Sequence, residues 1–298
     1  MRVIAVIVHW QDLADTRGCV ESLAAEPEVA IVVVDNASRE PVGEAFAGRA
    51  TVLRTPENAG YAGGANVGIA HALDAGADVV LLLNNDVRLR AGATAAALAM
   101  LAADPRIAVV GPKVLSREDP SRLWLAWGEV TYGPSLIALR GAGEPDAPVF
   151  RRPRDVDWVA GCTMWMRREA LSAIGRFDET FFAYHEEVDW CTRAREAGWR
   201  VVYAPDAVVT HTGRGATGAK ASIRIRKYFA ARNTILFARK HATAAAGVKL
   251  ACGLAVSLPL QLLYHLPRGT ADEVWLKIRG IRDVLTGRRP PFEALGLR

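Results

Sequence analysis

Three polar side chains follow directly after an apolar run in the segment LLLNNDV. Val80 to Leu83 are apolar, and Asn84, Asn85 and Asp86 come next. In α/β proteins, ligands bind outside the carboxyl ends of buried strands, so these side chains stand where a ligand would lie. Asp86 offers a carboxylate, and Mg²⁺ is commonly held by one or two carboxylates together with substrate phosphates. The segment therefore predicts Mg²⁺ or Mn²⁺ shared with a diphosphate.

A histidine supplies a second candidate metal ligand. His211 follows a short apolar run in VVTHTG, again at the end of a predicted strand. Imidazole nitrogen binds many divalent metals. The alternative is a histidine without a metal, whose hydrogen bonds are satisfied by neighbouring protein groups. The residue type alone leaves both interpretations open.

Another predicted strand ends in Asp35, within VVVDNAS. In dinucleotide-binding folds an acid at this place holds a ribose hydroxyl, but those folds need G-x-G-x-x-G after the first strand. The first strand here is followed by the glycine-free segment HWQD, which excludes a dehydrogenase of that type. Asp35 either accepts a hydrogen bond from a nucleobase N–H or caps the following turn.

Glycine and asparagine are concentrated in NAGYAGGANVG, residues 58–68. Glycines let the backbone approach a ligand closely, and a helix that begins here would point its first N–H groups at an anion. The asparagines can bond a base, a ribose or neighbouring backbone. A plain junction between a loop and a helix is the alternative, although one turn does not require so many of these residues.

Acidic side chains cluster in FDETFFAYHEEVDWCTRAREAGW. Glu186, Glu187 and Asp189 lie within four residues, beside aromatic side chains. Like charges this close raise one another's pKa, which suits a general base. A helix that uses acids at its N-terminus to complement its dipole is the alternative, and both interpretations can hold together.

The elements that would position these side chains alternate between strands and helices. The sequence predicts strands at residues 3–8, 29–34, 51–53, 78–83 and 107–110, with helices at 15–25, 65–73 and 91–103. This order is typical of a mostly parallel, doubly wound α/β sheet. From 111 to 153 the order breaks, and runs at 123–126 and 136–139 indicate a small antiparallel extension. We further predict a strand at 157–167, a helix at 187–197 and short strands at 201–203 and 208–210.

The segment after residue 218 is predicted to be a helical appendage. Its first part is basic, and an apolar stretch follows at residues 248–266. That stretch has nearly the length of a membrane span, but Lys249, Pro259, Gln261 and His265 interrupt it and disfavour spanning. A helical hairpin packed on the domain, or a helix lying on a membrane surface, fits better.

The composition narrows the class of protein. The chain has 298 residues, 51% of them hydrophobic, which is enough for a sizeable core. The net charge of +5 allows anionic partners, yet no long Lys/Arg run points to nucleic acid. The four cysteines form no C-x-x-C, so the simplest location is the cytoplasm. The basic segment and the apolar stretch after residue 218 would place the protein at the inner face of the membrane.

Together these motifs resemble the inverting family 2 glycosyltransferases of the GT-A fold, in the branch of rhamnosyltransferases and galactofuranosyltransferases. The resemblance covers residues 3–213 and is weaker at 220–241. It implies a catalytic domain at 1–217, with a nucleotide-binding half at about 1–110 and an acceptor half at about 111–217. The helical region at 218–298 would contact a membrane surface or a second subunit.

The resemblance also implies roles for individual residues. Asp35, beside Asn36, would accept from a pyrimidine N3–H, and the nucleoside pocket would include Asn58, Gly60 and Asn66. The segment with Asn84, Asn85 and Asp86 stands where the family has D-x-D, so Asp86 would bind Mg²⁺ or Mn²⁺ and His211 would be a further ligand. Glu187, or its neighbour Glu186, would deprotonate the acceptor hydroxyl.

Two departures from the family pattern weaken these expectations. Asn84 replaces the first acid of D-x-D, which lowers the expected metal affinity. The family often has Glu-Asp where this chain has Glu186 and Glu187, and glutamate is one methylene longer than aspartate.

The expected donor is dTDP-L-rhamnose, with UDP sugars such as UDP-galactofuranose, UDP-galactose or UDP-glucose as the alternative. The acceptor would be a glycan, a lipid-linked glycan or a small molecule. A non-catalytic protein that binds nucleotide sugars is the remaining alternative, although Asp86, Glu187 and His211 are all present. A processive synthase is disfavoured because Q-x-x-R-W is absent.

Overall fold

The computed structural model describes residues 1–24, 26, 29–212 and 219–297, with the side chains of 219–222 outside that description. The strands in these residues are β1 (Val3–His9), β2 (Val29–Asp35), β3 (Thr51–Arg54), β4 (Val79–Asn84), β5 (Val87–Leu89), β6 (Ile107–Ser116), β7 (Leu123–Leu125), β8 (Trp127–Val130), β9 (Ile137–Arg140), β10 (Arg154–Asp155), β11 (Thr163–Arg167) and β12 (Arg200–His211). The α-helices are α1 (Leu13–Leu23), α2 (Gly60–Asp74), α3 (Ala93–Ala103), α4 (Arg168–Ile174), α5 (Glu186–Glu196), α6 (Ala219–His241), α7 (Ala244–His265) and α8 (Ala271–Leu285).

The main sheet has the strand order β10-β12-β6-β11-β4-β1-β2-β3. Strands β3, β2, β1 and β4 are parallel to one another, and β6 is parallel to β12. Strand β11 runs antiparallel between β4 and β6, so both parallel groups point the same way. The carboxyl ends of β1, β2, β4 and β12 therefore share one edge. The predicted α/β sheet, its antiparallel extension and the C-terminal helices are confirmed.

The central strands are buried on both faces. All seven residues of β1 and the first five of β4 are buried. Helices cover both faces of a parallel sheet, so its strands are apolar throughout instead of alternating. The unbroken VIAVIV and VVLLL runs thus form a rigid core, and polar residues appear only where the strands end.

Helix α1 begins earlier than the sequence predicts. Residue 15 was the expected start, but the helix starts at Leu13 because Asp12 caps it, its Oδ1 accepting from the Asp15 N–H at 2.9 Å. Residue 25, the expected end, lies outside the described residues.

The glycine-rich segment is itself helical. Helix α2 begins at Gly60, five residues before the predicted start. A Cβ on Gly68 would stand 2.1 Å from the Val6 side chain, and one on Gly64 would stand 3.0 Å from that of Val8. The later glycines therefore let α2 lie close against β1, a packing role that the sequence pattern did not distinguish from ligand binding.

Two predicted strands differ from the structure. Only Thr163–Arg167 of the predicted 157–167 strand is extended, and the preceding residues form a non-strand segment at the sheet edge. The runs at 201–203 and 208–210 belong to one strand, β12, whose register shifts between Ala204 and Val208. The intervening Pro205 cannot donate a ladder hydrogen bond, so an irregularity in the strand accommodates it.

The C-terminal helices pack on the sheet domain through α6. Phe237 belongs to the main core, and a second apolar cluster joins α6 to the loop before α5 through Phe182 and Phe229. The expected domain boundary at 217/218 lies outside the described residues, as does Gly213, and the division into domains stays a prediction.

Helix α7 presents an apolar face to solvent. Within the described residues, Ala244–Arg268 is the helical stretch with the length and composition of a membrane span; its mean hydropathy is 1.6 and 6% of it is buried. Between Lys249 and Arg268 every exposed residue is apolar or uncharged. The largest exposed side chains are Val256, Leu260, Leu263, Tyr264 and Leu266.

Candidate active site

An open cleft of about 600 Å³ lies where the strand ends meet. It collects most of the side chains that the sequence singled out, from segments far apart in the chain. Its lining includes Asn36, Asn58, Gly60, Asn84, Asn85, Asp86, Glu186, Glu187 and His211. The candidate catalytic and metal-binding carboxylates and the imidazole of His211 therefore line the same cleft.

Strand pairing brings His211 to Asp86. Strand β12 pairs with β5 so that His211 is opposite Val87, the residue after Asp86. Nε2 of His211 lies 3.0 Å from Oδ1 of Asp86, and Thr212 Oγ1 donates to Oδ2 at 2.7 Å. Both side chains are buried. Burial would raise the pKa of Asp86, but His211 and Thr212 outweigh it and lower that pKa.

The imidazole of His211 is short of partners. Both ring nitrogens are buried, and neither makes a hydrogen bond of standard geometry within the described residues, although Nε2 lies 3.0 Å from Asp86 Oδ1. Trp124 holds the ring edge-on, with centroids 4.3 Å apart. A buried carboxylate beside an unsatisfied imidazole fits a divalent cation.

The protein would supply few of that cation's ligands. No group of three or more His, Cys, Asp and Glu that could hold a metal occurs in the part of the chain that the structure describes. Asp86 and His211 would leave the other coordination positions to substrate oxygens and water. Such a site suits Mg²⁺ or Mn²⁺ that binds together with a diphosphate.

The two glutamates at the start of α5 have elevated pKa values. Burial raises the pKa of Glu186 well above its usual value, and the charge of Glu187 adds to this. Burial also raises the pKa of Glu187, to about 7, against backbone N–H groups that lower it. Oε2 of each has no hydrogen-bond partner within the described residues. A carboxylate with a pKa near 7 and a free oxygen is suited to accept a proton.

The loop before these glutamates is strained. Phe182, Tyr184 and His185 have positive φ angles of 63°, 70° and 69°. Such values are unfavourable for residues with a Cβ and persist only where the surroundings enforce them. Strain of this kind often accompanies functional sites, and here it aims the first turn of α5 at the cleft.

Asn233 of α6 enforces that loop conformation. It is fully buried, and its Nδ2 donates to the carbonyl oxygens of Phe181, Ala183 and Tyr184 at 2.8, 2.8 and 2.7 Å. The C-terminal helices thus take part in shaping the site. The sequence does not predict this role, since an asparagine in the middle of a helix does not by itself indicate a structural function.

We expect Asn233→Asp to reduce activity through this loop. The carboxylate keeps the shape of the side chain but would face three carbonyl oxygens, at a cost of about 3 kcal/mol or more of stability. Thermal unfolding should show a lower midpoint, and kcat at 25 °C should fall more than the donor KM changes. A destabilised variant with wild-type kcat while folded would contradict the positioning role.

Asn36, Asn58 and Asn85 line the cleft and also organise its walls. Asn36 Nδ2 donates to the Gly60 carbonyl at 2.9 Å, and its Oδ1 accepts from the Ala59 N–H at 3.0 Å. Asn58 Nδ2 donates to the carbonyl of Leu297 at 3.1 Å. Asn85 Nδ2 donates to Thr16 Oγ1 at 3.2 Å.

Two predicted nucleotide-binding residues are not in the lining of the cleft. Asp35 is buried with Arg54 as ion-pair partner and accepts from the Ser38 N–H at 2.9 Å. Ser38 lines a second pocket, of about 260 Å³, together with His9 and Gln11. Asp35 therefore caps its own turn beside that pocket, and its contact with a nucleobase stays a prediction.

Asn66 lies outside the lining of the cleft, and its role in the nucleoside pocket stays a prediction. Its side chain faces the loop after α4, where Nδ2 donates to the Phe177 carbonyl at 2.9 Å and Oδ1 accepts from the Phe177 N–H at 3.0 Å. It lies one turn and a half inside α2, so the helix turns it away from the cleft. The predicted helix at 65–73 already contained Asn66; the observed start at Gly60 places this residue further inside the helix.

Several lining residues were missed. Tyr61 donates its hydroxyl to the Gly161 carbonyl at 2.9 Å, and a Cβ on Gly161 would stand 3.1 Å from Glu187 Cγ. Tyr61 could have been found inside the glycine motif. Arg226 of α6 and Leu297 also line the cleft, and no sequence signal connects them to it.

Comparison with known proteins gives a consistent result. The family model described as "Glycosyltransferase like family 2" matches residues 2–230. An N-acetylglucosaminyl-diphospho-decaprenol L-rhamnosyltransferase of Mycobacterium tuberculosis is 33% identical over 222 residues, covering 66% of this chain and 71% of that protein. A galactofuranosyltransferase of the same species is 34% identical over 218 residues, covering 70% and 69%.

Solved structures share the fold. A mannosyltransferase from Pyrobaculum calidifontis, in complex with GDP-Man and Mn²⁺, superposes with a TM-score of 0.58 at 17% identity, over 97% of this chain and 88% of that one. GalNAc-T7 with UDP, GalNAc and Mn²⁺ gives 0.57 at 14% identity, over 96% and 57%. At these identities the likeness concerns the fold alone.

Proposed function

Because this chain belongs to the family 2 glycosyltransferases, we propose that it moves a sugar from a nucleotide diphosphate donor to an acceptor hydroxyl, with inversion at the anomeric carbon. The observation that carries the proposal is that the Asp86–His211 pair and the glutamates of raised pKa line one cleft. Asp86 and His211 suit a metal that binds the diphosphate, and the glutamates suit proton abstraction. The transfer reaction requires both functions.

The chemistry divides among these side chains. Glu187 accepts the proton of the acceptor hydroxyl, whose oxygen forms a bond to the anomeric carbon while the bond from that carbon to the diphosphate oxygen breaks. Asp86 and His211 would hold Mg²⁺ or Mn²⁺, which supplies positive charge for the leaving diphosphate. Asn36, Asn58, Gly60 and Asn85 would contact the donor.

The proposed donor is dTDP-L-rhamnose. The rhamnosyltransferase relative supports this choice, and the galactofuranosyltransferase relative supports UDP-galactofuranose as the second candidate. A donor screen with purified protein would measure release of nucleoside diphosphate with Mn²⁺ and with EDTA. Turnover of dTDP-L-rhamnose above all UDP sugars is expected. Binding of a sugar nucleotide without turnover, over a broad acceptor set, would favour the non-catalytic alternative.

The proposed acceptor is a lipid-linked glycan reached at a membrane surface. The relative named for a decaprenol-linked substrate supports this, and so does the apolar face of α7 bounded by Lys249 and Arg268. An apolar helix face flanked by cations suits the boundary of an anionic bilayer. Cytoplasmic protein would then bind the inner face of the membrane through this helix.

Vesicle binding tests that placement. Leu260→Glu with Leu263→Glu should abolish most co-sedimentation with phosphatidylglycerol vesicles, because two charges would enter the apolar layer. Val149→Glu is the matched control, since Val149 is 59% exposed outside the C-terminal helices. If the double variant instead converts a dimer to a monomer in sedimentation velocity, with vesicle binding unchanged, α7 contacts a second subunit.

A further inference from the structure

Helix α6 carries three basic side chains near the cleft, and helix α8 neutralises two of them. Arg224 NH1 lies 3.2 Å from Asp272 Oδ2, and Lys227 Nζ lies 2.8 Å from Glu273 Oε2. Arg226, between them, has no hydrogen-bond or ion-pair partner among the described residues. The helix geometry explains the difference, because side chains two residues apart point in different directions.

Arg226 faces the cleft. It lines the space together with Ala230, one helical turn further on. Arg226 is the single Lys or Arg in the lining of the described cleft, which also includes the three carboxylates of Asp86, Glu186 and Glu187. Since no described residue pairs with it, this guanidinium can bind an anion that enters the cleft.

The helix backbone that carries this guanidinium is anchored by buried neighbours. Ile225, Tyr228 and Phe229 are buried in the second apolar cluster, which also contains Phe182 of the strained loop. The backbone under Arg226 is therefore fixed against the same loop that positions Glu187. A guanidinium on a rigid helix loses less entropy when it binds, and its planar fork matches two oxygens of a phosphate.

We propose that Arg226 is a phosphate-binding residue that contacts a diphosphate group of a substrate. The proposal rests on the proposed function, which brings a diphosphate into this cleft. The diphosphate belongs to the nucleotide donor or to a lipid-linked acceptor, and both present the same oxyanion. In either case Arg226 adds positive charge that the Asp86–His211 pair does not supply.

Calorimetric titration with inorganic pyrophosphate, at constant Mg²⁺, tests the site directly. Arg226→Gln should weaken pyrophosphate binding about tenfold or more, the effect of losing a charge-assisted hydrogen bond. Arg226→Lys should recover part of the loss, because the charge stays but the fork does not. Arg224→Gln is the matched control and should bind as wild type does, since Arg224 pairs with Asp272.

Steady-state kinetics separate the two sources of the diphosphate. If Arg226 contacts the donor, Arg226→Gln raises the donor KM and weakens binding of the nucleoside diphosphate, while the affinity for the nucleoside is unchanged. If Arg226 contacts the acceptor, the donor KM is unchanged and KM rises for diphosphate-linked acceptors but not for phosphate-free ones. Both results support the proposal.

Other outcomes overturn it. If Arg226→Gln equals Arg224→Gln in pyrophosphate affinity and in both KM values, Arg226 does not bind phosphate. The proposal also fails if the wild-type protein binds no pyrophosphate. Failure of the proposed function looks different: no sugar nucleotide is turned over, yet pyrophosphate binding still depends on Arg226.

Discussion

Glu187→Gln is expected to lower kcat by about 10²–10⁴-fold, the range that a general base contributes, while donor binding stays nearly intact. Glutamine keeps the size and the position at the start of α5 but cannot accept the acceptor's proton. Glu187 lines the cleft against Gly161 with Oε2 unpartnered within the described residues. Single-turnover rates would report the chemical step, and donor titration would report binding.

Glu186→Gln is the matched control for this prediction. The two glutamates are adjacent and alike in chemistry, and both line the cleft, so a general effect of charge removal would appear in both variants. We expect the Glu186 variant to keep most of its turnover. If Glu186→Gln is inactive and Glu187→Gln is active, the assignment of the base must be exchanged.

The pH dependence follows from the raised pKa of Glu187. The base acts as the carboxylate, so a pKa of about 7 leaves it mostly protonated and inactive below that pH. The value of kcat/KM should therefore rise about tenfold per unit at low pH and level off above about 7. A profile that is already flat at pH 5.5 would show that no group of raised pKa acts as the base.

Asp86→Asn should have the second large effect. The amide preserves the shape but removes the negative charge, and with one carboxylate among the proposed ligands the affinity for Mn²⁺ should fall steeply. We expect metal-dependent turnover to drop by about 10²-fold or more, in line with the several kcal/mol that such a metal supplies. Mn²⁺ binding measured by electron paramagnetic resonance would separate lost affinity from lost chemistry.

Thr212→Val is the control for the metal site. It removes the 2.7 Å hydrogen bond to Asp86 Oδ2 but leaves both proposed ligands. Loss of less than about tenfold in Mn²⁺ affinity is expected, at the low end of effects for residues that only orient a ligand.

His211→Ala should resemble Asp86→Asn. Wild-type Mn²⁺ affinity in both ligand variants would place the metal elsewhere.

Local sequence patterns determined where the strands end and which polar residues follow them. The apolar runs of β1, β2 and β4 needed burial on both faces, so their polar termini had to lie at one sheet edge. That reasoning placed Asp86 and His211 together although 125 positions separate them along the chain. The adjacency of Glu186 and Glu187 was also readable from the sequence, but burial is the main cause of their raised pKa, and burial depends on the fold.

Only the tertiary structure determines the direction in which each side chain points and the residues that it contacts. Asn66 turned away from the cleft because α2 begins at Gly60, and Asp35 was occupied by Arg54 and the Ser38 N–H. Asn233 and Arg226 reach the site from α6, and no sequence motif in that helix predicts that it contributes to the site. Sequence periodicity encodes burial within an element, but contacts between distant elements depend on how those elements pack, and no short pattern records that packing.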